Sequence, residues 1–115
     1  MTLYFSIPVK TAPGLNAREH WAKRAARVRR ERFAAKAILG RQTPREATIT
    51  LTRYSAGTLD GDNLQGALKA IRDGVADAFG MADNDPRLIW LYEQRKCKRG
   101  TYSVEITITE AMESE

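Results

Sequence analysis

One amphipathic helix constrains this chain more than any other feature of its sequence. From residue 62 to residue 79, apolar side chains recur at helical spacing: Leu64, Leu68, Ile71, Val75 and Phe79. This spacing puts them on one narrow stripe of an α-helix, which must pack against another layer. Gly80 follows the last of them and is a typical residue for ending a helix. The sequence therefore predicts a core that is built around this helix.

Segments with alternating apolar and polar residues flank this helix. They cover four stretches of the chain: residues 3–7, 46–54, 88–95 and 101–109. Such alternation predicts β-strands that each bury one face. In the last stretch, the inward positions are Tyr102, Val104, Ile106 and Ile108.

A second, strongly basic helix is predicted over residues 16–39, with Asn16 as its N-cap and Gly40 at its end. We expect its narrow apolar face to consist of Ala22, Ala26, Phe33 and Ala37. The order β-α-β-α-β-β predicts an α/β fold, in which a small mixed sheet has two main helices packed against it. The length of 115 residues fits a single domain over residues 1–115.

The rarity of two residue types excludes several kinds of chemistry. Cys97 is the only cysteine and His20 the only histidine, so the chain forms no intrachain disulfide and no zinc site built from several such residues. No apolar run approaches the roughly 20 residues of a membrane span. The N-terminal residues lack the pattern of a secretory signal. We therefore expect an intracellular protein.

The charges are distributed unevenly. All six aspartates fall within residues 60–85, a window of net charge −4, so the rest of the chain carries +9. An acidic segment in a basic protein indicates a bound cation, and oxygen ligands favour Mg²⁺. The basic remainder indicates a polyanionic partner, because the helix over residues 16–39 holds eight cations and only two anions.

Helix capping offers a simpler interpretation of some of these aspartates. Asp62 followed by Gln65 fits a capping box, which makes Asp62 the predicted N-cap. Asp73 and Asp77 fit a solvated face, on which Lys69 pairs with Asp73 at i,i+4 spacing. The helix is about 27 Å long. Its two ends can therefore share a metal only if the loop after Gly80 folds back.

Two short motifs flank the apolar helix. Asp60-Gly61-Asp62-Asn63-Leu64 opens it, and Asp83-Asn84-Asp85 follows it. In this order they resemble the D-x-D-N-L motif and the acidic pair of the RusA family of Holliday junction resolvases. The turn at residues 13–16 and the closing strand at residues 106–110 also resemble that family. The resemblance covers nearly the whole chain, although the basic helix matches loosely.

The resemblance implies a crossover junction endodeoxyribonuclease, which resolves four-way DNA by paired phosphodiester hydrolysis in DNA recombination and repair. It implies that Asp60, Asp62 and Asp85 are catalytic and bind Mg²⁺, with Mn²⁺ as a substitute. Asp83 is a further metal ligand by the same resemblance. Asp85 is preferred because its spacing to the following strand matches that of the family.

The catalytic lysine of the family falls on Gly66 in this chain. Lys69 lies three residues later and keeps the family's four-residue step to an aspartate, here Asp73. Positions four and seven beyond Asp62 lie at about +40° and −20° around a helix, so Lys69 stays on the same face. We therefore expect Lys69 to replace that lysine and to stabilise charge on a phosphate oxygen.

The DNA contacts are expected from two basic segments. These contacts are Arg18, Lys23, Arg24, Arg27 and Arg30 of the basic helix, and Lys96, Lys98 and Arg99 of a hairpin turn. Trp21 and His20 fit stacking on an exposed base, although a tryptophan more often packs in the core.

The resemblance also implies a homodimer that makes two symmetric cuts, in the cytoplasm of a bacterium and encoded by the cell or a phage. Neither a membrane nor an organic cofactor is expected. Two other interpretations remain open. One is a nucleic-acid-binding module that has lost nuclease activity, with Gly66 as the trace of that loss. The other is a protein-interaction domain whose aspartates are helix caps.

Overall fold

The order of elements along the chain is the one that the sequence predicts. The structure, a computed structural model, describes residues 2–11 and 20–110. Its elements are β1 (Thr2–Ile7), α1 (Trp21–Leu39), β2 (Ala47–Ser55), α2 (Gly61–Phe79), β3 (Leu88–Lys96) and β4 (Ser103–Glu110). The mixed α/β fold with four strands and two helices is thereby confirmed.

The four strands form one sheet in the order β1-β4-β2-β3. β2 and β3 are parallel, whereas β4 is antiparallel to both β1 and β2. β1, β2 and β3 therefore point the same way and end at a common edge. We call this the carboxyl edge, and it comprises residues 8–11, 56–60 and 97–100. The opposite edge, here the far edge, includes Thr2, which pairs with Thr109.

Both helices cover one face of the sheet. The predicted stripe of α2 is confirmed, since all five of its apolar residues are buried against the inward side chains of β2 and β4. Val104, Ile106 and Ile108 are fully buried as predicted, whereas Tyr102 precedes β4 and is half-buried. The other face of the sheet exposes Tyr4, Ile89 and Leu91. Neither described helix is long and apolar enough to cross a membrane.

The apolar face predicted for α1 is wrong. Ala22, Phe33 and Ala37 are exposed and Ala26 is half-buried, with Phe33 71% accessible. The buried residues are instead Glu31, Ala35 and Leu39, which lie four residues apart on a different side. Alanines are distributed around the whole helix, so apolar spacing alone does not identify its inner side. Glu31 is accommodated there because Arg27 donates a hydrogen bond to its Oε2 at 3.3 Å.

The start of α1 also differs from the prediction. The helix begins at Trp21, and His20 is its N-cap, since Nδ1 of His20 accepts a hydrogen bond from the amide of Ala22 at 3.2 Å. The predicted N-cap, Asn16, lies outside the described residues. So does the turn at residues 13–16 that contributes to the family resemblance.

The two helices pack closely at Gly74. A Cβ at this position would overlap the carbonyl oxygen of Arg32 and lie 2.8 Å from Cβ of Ala35. The contact brings α1 and α2 together at their carboxyl-terminal halves. There the amide of Gln42, in the loop after α1, donates to the carbonyl of Ala78 at 2.8 Å. Both helices therefore run from the carboxyl edge towards the far edge.

Candidate active site

Asp60, not Asp62, is the N-cap of α2. Its backbone is extended (φ −71°, ψ 171°), and its Oδ1 accepts a hydrogen bond from the amide of Asn63 at 3.0 Å. The prediction that Asp62 caps the helix is wrong, because the helix already begins at Gly61 and Asp60 precedes it as the N-cap. Asp62 lies in the first turn, where it is exposed, and no described residue donates a hydrogen bond to its carboxylate.

Two side chains from the sheet fix the loop that leads into Asp60. Gln94 of β3 accepts from the amide of Leu59 at 2.9 Å and donates to its carbonyl at 2.6 Å. Arg53 of β2 donates to the carbonyl of Gly57 at 3.1 Å. Sequence reasoning missed both residues. The available signal was a polar residue at an inward position of each strand, since inward and outward positions alternate.

Arg53 is a buried cation. It is 6% accessible, and its Nε also donates to Oγ1 of Thr11 at 2.9 Å. Burial lowers the pKa of the guanidinium below its ordinary value. No carboxylate among the described residues forms an ion pair with it. Arg53 therefore ties the loops after β1 and β2 together and leaves a positive charge beneath them.

The first turn of α2 holds an acceptor without a donor. Oδ1 of Asn63 is buried and has no hydrogen-bond partner among residues 2–11 and 20–110. It belongs to the same turn as the second carboxylate oxygen of Asp60 and the carboxylate of Asp62. All three are oxygen atoms, the type of ligand that Mg²⁺ prefers; Oδ1 of Asn63 is buried, whereas Asp60 and Asp62 are exposed.

The second acidic segment folds back along α2 through Asp83. Oδ2 of Asp83 accepts from Nζ of Lys69 and from Nε of Arg72, both at 3.0 Å. Its carbonyl accepts from Nη2 of Arg72 at 3.0 Å and from Nε1 of Trp90 at 2.8 Å. The Lys69 hydrogen bond, supported by Arg72, holds the pKa of Asp83 below its ordinary value.

Lys69 links Asp83 to the face of α2 that begins at Asp62. The predicted pair with Asp73 is confirmed, at 2.7 Å. Burial disfavours the protonated form of Lys69, but the hydrogen bonds to Asp73 and Asp83 outweigh it and raise its pKa. Lys69 lies seven residues after Asp62, about 10 Å along the helix axis. Asp83 thus returns to within about two helical turns of Asp62.

Asp85 is engaged elsewhere. Its carboxylate accepts from the amide of Arg87 at 3.0 Å and from that guanidinium at 3.0 and 3.2 Å. These side-chain and backbone hydrogen bonds lower the pKa of Asp85. In the described part of the chain, no group of three or more His, Cys, Asp or Glu side chains is arranged to hold a metal ion. The structure therefore does not bring Asp60, Asp62, Asp83 and Asp85 into one cluster.

The remaining acidic residue of α2 pairs with the neighbouring helix. Asp77 accepts two hydrogen bonds from Arg32 of α1, at 2.6 and 2.9 Å, and they lower its pKa. A cavity of about 580 Å³ lies beside this pair, at the far edge between the helix ends. It is remote from Asp60 and Asp62.

Most of the predicted DNA contacts that the structure describes are exposed cations. Lys23, Arg24 and Arg30 are exposed on α1, and Lys96, Lys98 and Arg99 are exposed at or next to the carboxyl edge. Arg27 differs, because its side chain is 16% accessible and pairs with Glu31. Arg18 lies outside the described residues. Comparison of the chain with protein-family models and with curated proteins gave no match.

Proposed function

We propose that this protein is a Mg²⁺-dependent endonuclease that cleaves branched DNA. The observation that carries the proposal is the position of Asp60 and Asp62 at the carboxyl edge, with free carboxylate oxygens and exposed cations of the same edge nearby. In open α/β sheets, ligands bind outside the carboxyl ends of the strands. The resemblance of residues 60–64 to the RusA motif agrees with this location.

The donor atoms at the start of α2 fit a magnesium ion. Mg²⁺ in phosphoryl-transfer sites is usually held by one or two carboxylates, and water and substrate phosphates complete its coordination. Asp60 and Asp62 would supply the carboxylates, and Oδ1 of Asn63 is a third oxygen without a donor. Mg²⁺ bound there would lower the pKa of a water molecule and stabilise charge on the phosphate.

Asp83 and Lys69 have a supporting role in this proposal. Lys69 is 55% accessible while it holds Asp83, so its ammonium can also reach a phosphate of a strand lying along α2. Arg72 donates a hydrogen bond to the backbone carbonyl of Asp83. It thereby fixes the position of the carboxylate with which Lys69 pairs. Asp85, preferred on the family spacing, remains a prediction. Comparing Asp83→Asn with Asp85→Asn decides which of the two is needed.

The substrate and assembly follow from the same proposal. A four-way junction requires two symmetric cuts, which a C2 homodimer with one site in each subunit can make. The exposed cations of α1 and of residues 96–99 would neutralise phosphates, so DNA affinity should fall steeply with salt. Such an enzyme would act in the bacterial cytoplasm.

The experiment is a cleavage assay on labelled four-way junction, flap and linear duplex DNA, with Mg²⁺ and with chelator. Asp60→Asn and Asp62→Asn are the test variants, because Asn keeps the shape of Asp without its charge and is as good an N-cap at position 60. Asp77→Asn is the matched control, since it removes a carboxylate of α2 at the far edge. We expect both test variants to lose at least about 100-fold in rate, a loss typical of a missing catalytic group, and the control to cleave normally.

Wild-type cleavage by Asp62→Asn would contradict the proposal. A second candidate function is a nucleic-acid-binding module without nuclease activity. It is favoured by the ion pairs that engage Asp83 and Asp85 and by the separation of both from Asp60 and Asp62. Salt-sensitive binding of the junction without cleavage in Mg²⁺ or Mn²⁺ would support this second candidate.

A further inference from the structure

Trp21 is an exposed aromatic residue, although a tryptophan more often packs in the core. Its side chain is 76% accessible, although it opens a helix that packs on the rest of the protein. His20 lies beside it, with ring centroids 5.6 Å apart and planes tilted by 32°. Since His20 is held as the N-cap of α1, the pair presents a preorganised aromatic surface to solvent.

A cation lies on the same side of α1 as Trp21, because Arg24 follows it by three residues. Lys23 and Arg24 follow in the first turns of α1 and are exposed, and no acidic residue lies in the first turn. Neither cation forms an ion pair within residues 2–11 and 20–110. An exposed aromatic ring beside free positive charges is the combination with which proteins bind single-stranded nucleic acids, since bases stack and phosphates are neutralised.

The packing of the helices limits how far Trp21 and Asp62 are offset along the helix axes. Gly74 of α2 contacts Arg32 of α1, and the two helices run in the same direction. Trp21 lies eleven residues before Arg32 on α1, and Asn63 lies eleven residues before Gly74 on α2. The offset between Trp21 and Asp62 along the helix axes is therefore about one turn or less, and the two axes lie about 8–10 Å apart where the helices touch at Gly74.

We propose that Trp21 stacks on an unpaired base of a DNA strand whose backbone is bound at the carboxyl edge. This inference rests on the proposed function, because it names the part of a branched substrate that the protein recognises. Single-stranded flaps contain unpaired bases, and the interrupted stacking at a branch point lets a base leave its pair more readily than in a continuous duplex. Trp21 would thus favour branched over linear DNA.

The test is a binding titration in chelator, where no cleavage occurs. A fluorescent oligothymidylate is compared with an abasic strand of equal length, which keeps the phosphates and lacks the bases. We expect the wild-type protein to bind oligothymidylate about 10-fold more tightly than the abasic strand, with quenching of tryptophan fluorescence. Trp21→Ala should abolish both the preference and the quenching. Trp21→Phe should retain part of the preference.

Phe33→Ala is the matched control. Phe33 is also an exposed aromatic residue of α1, but it lies more than three turns away near the far edge. This variant should bind both strands as the wild type does. Equal wild-type affinity for the two strands, no binding of either, or an unchanged preference in Trp21→Ala would overturn the inference. A change in sedimentation of Trp21→Ala with unchanged binding would show that a second copy covers Trp21 and would overturn it too.

The two proposals can fail separately. Base-dependent quenching without cleavage of any junction would leave Trp21 as a stacking residue and remove the nuclease. Mg²⁺-dependent cleavage with unchanged binding by Trp21→Ala would keep the nuclease and remove the stacking.

Discussion

Replacing Arg72 by methionine should loosen the loop between α2 and β3. Arg72 donates to both Oδ2 and the carbonyl of Asp83, and its Nη1 donates to the hydroxyl of Tyr92 at 2.8 Å. Its guanidinium also lies over the ring of Trp90, 4.7 Å from the centroid. Methionine keeps an unbranched stem to pack on that ring, so the change removes mainly the charge and the hydrogen bonds.

The expected loss is about 3 kcal/mol. A hydrogen bond to a charged group contributes about 1.5–3 kcal/mol to stability, and a partly exposed cation–π contact about 0.5–1 kcal/mol. Asp83 keeps Lys69 as a partner, and its side chain is 29% accessible, so the sum of all contacts would overstate the loss. For a chain of this size, 1 kcal/mol corresponds to about 4 °C in Tm, which gives a decrease of about 12 °C.

Thermal unfolding followed by circular dichroism measures this decrease. The matched control is Arg32→Met, which removes an ion pair with Asp77 from a side chain that is 49% accessible. Exposed ion pairs contribute at most about 1 kcal/mol, so the control should lose no more than about 4 °C. Equal decreases in the two variants would refute the view that Arg72 anchors the loop.

Three further outcomes are expected. Gly74→Ala should lower the free energy of unfolding by at least about 2 kcal/mol, because its Cβ overlaps α1, whereas Gly61→Ala, with open space around it, should be near neutral in urea titrations. Because the pKa of Asp83 is lowered in the folded state, its ionised carboxylate stabilises the fold above the unfolded value of about 3.9, and this stabilisation is lost as the pH falls below that value. The stability of Asp83→Asn should therefore vary less between pH 3 and pH 6 than the stability of the wild type. Gln94→Leu should speed hydrogen exchange of the Leu59 amide and slow junction cleavage with little loss of Tm; unchanged exchange would contradict the role of Gln94 as a clamp.

Strong periodicity made α2 predictable. Its apolar stripe has one large residue on each turn, so only one side of the helix can face the core, and the structure confirms it. α1 lacks such a stripe. Its buried line contains Glu31, and its exposed side contains Phe33, so hydrophobicity indicated the wrong side. The side of α1 that faces the rest of the protein follows from the close approach of Arg32 and Ala35 to Gly74, which is a tertiary feature.

The candidate site was predictable only in part. Asp60 and Asp62 could be identified from their spacing, but either one fits an N-cap, and only the backbone angles distinguish them. The return of Asp83 to Lys69 depends on contacts with Arg72 of α2 and Trp90 of β3, which only the folded chain brings to the same loop. The local pair of Asp85 with Arg87 competes with the role that the family spacing suggested for Asp85.

The pairing of Thr2 with Thr109 has a practical consequence. The first and last strands are neighbours, and the outer ends of both lie at the far edge, about the length of α2 from Asp60. An affinity tag, a fluorophore or a fused domain joined before β1 or after β4 therefore leaves the sheet on the side away from the carboxyl edge. Immobilising the protein through either end should keep Trp21, Asp60 and Asp62 open to DNA, which suits single-molecule and surface-based measurements.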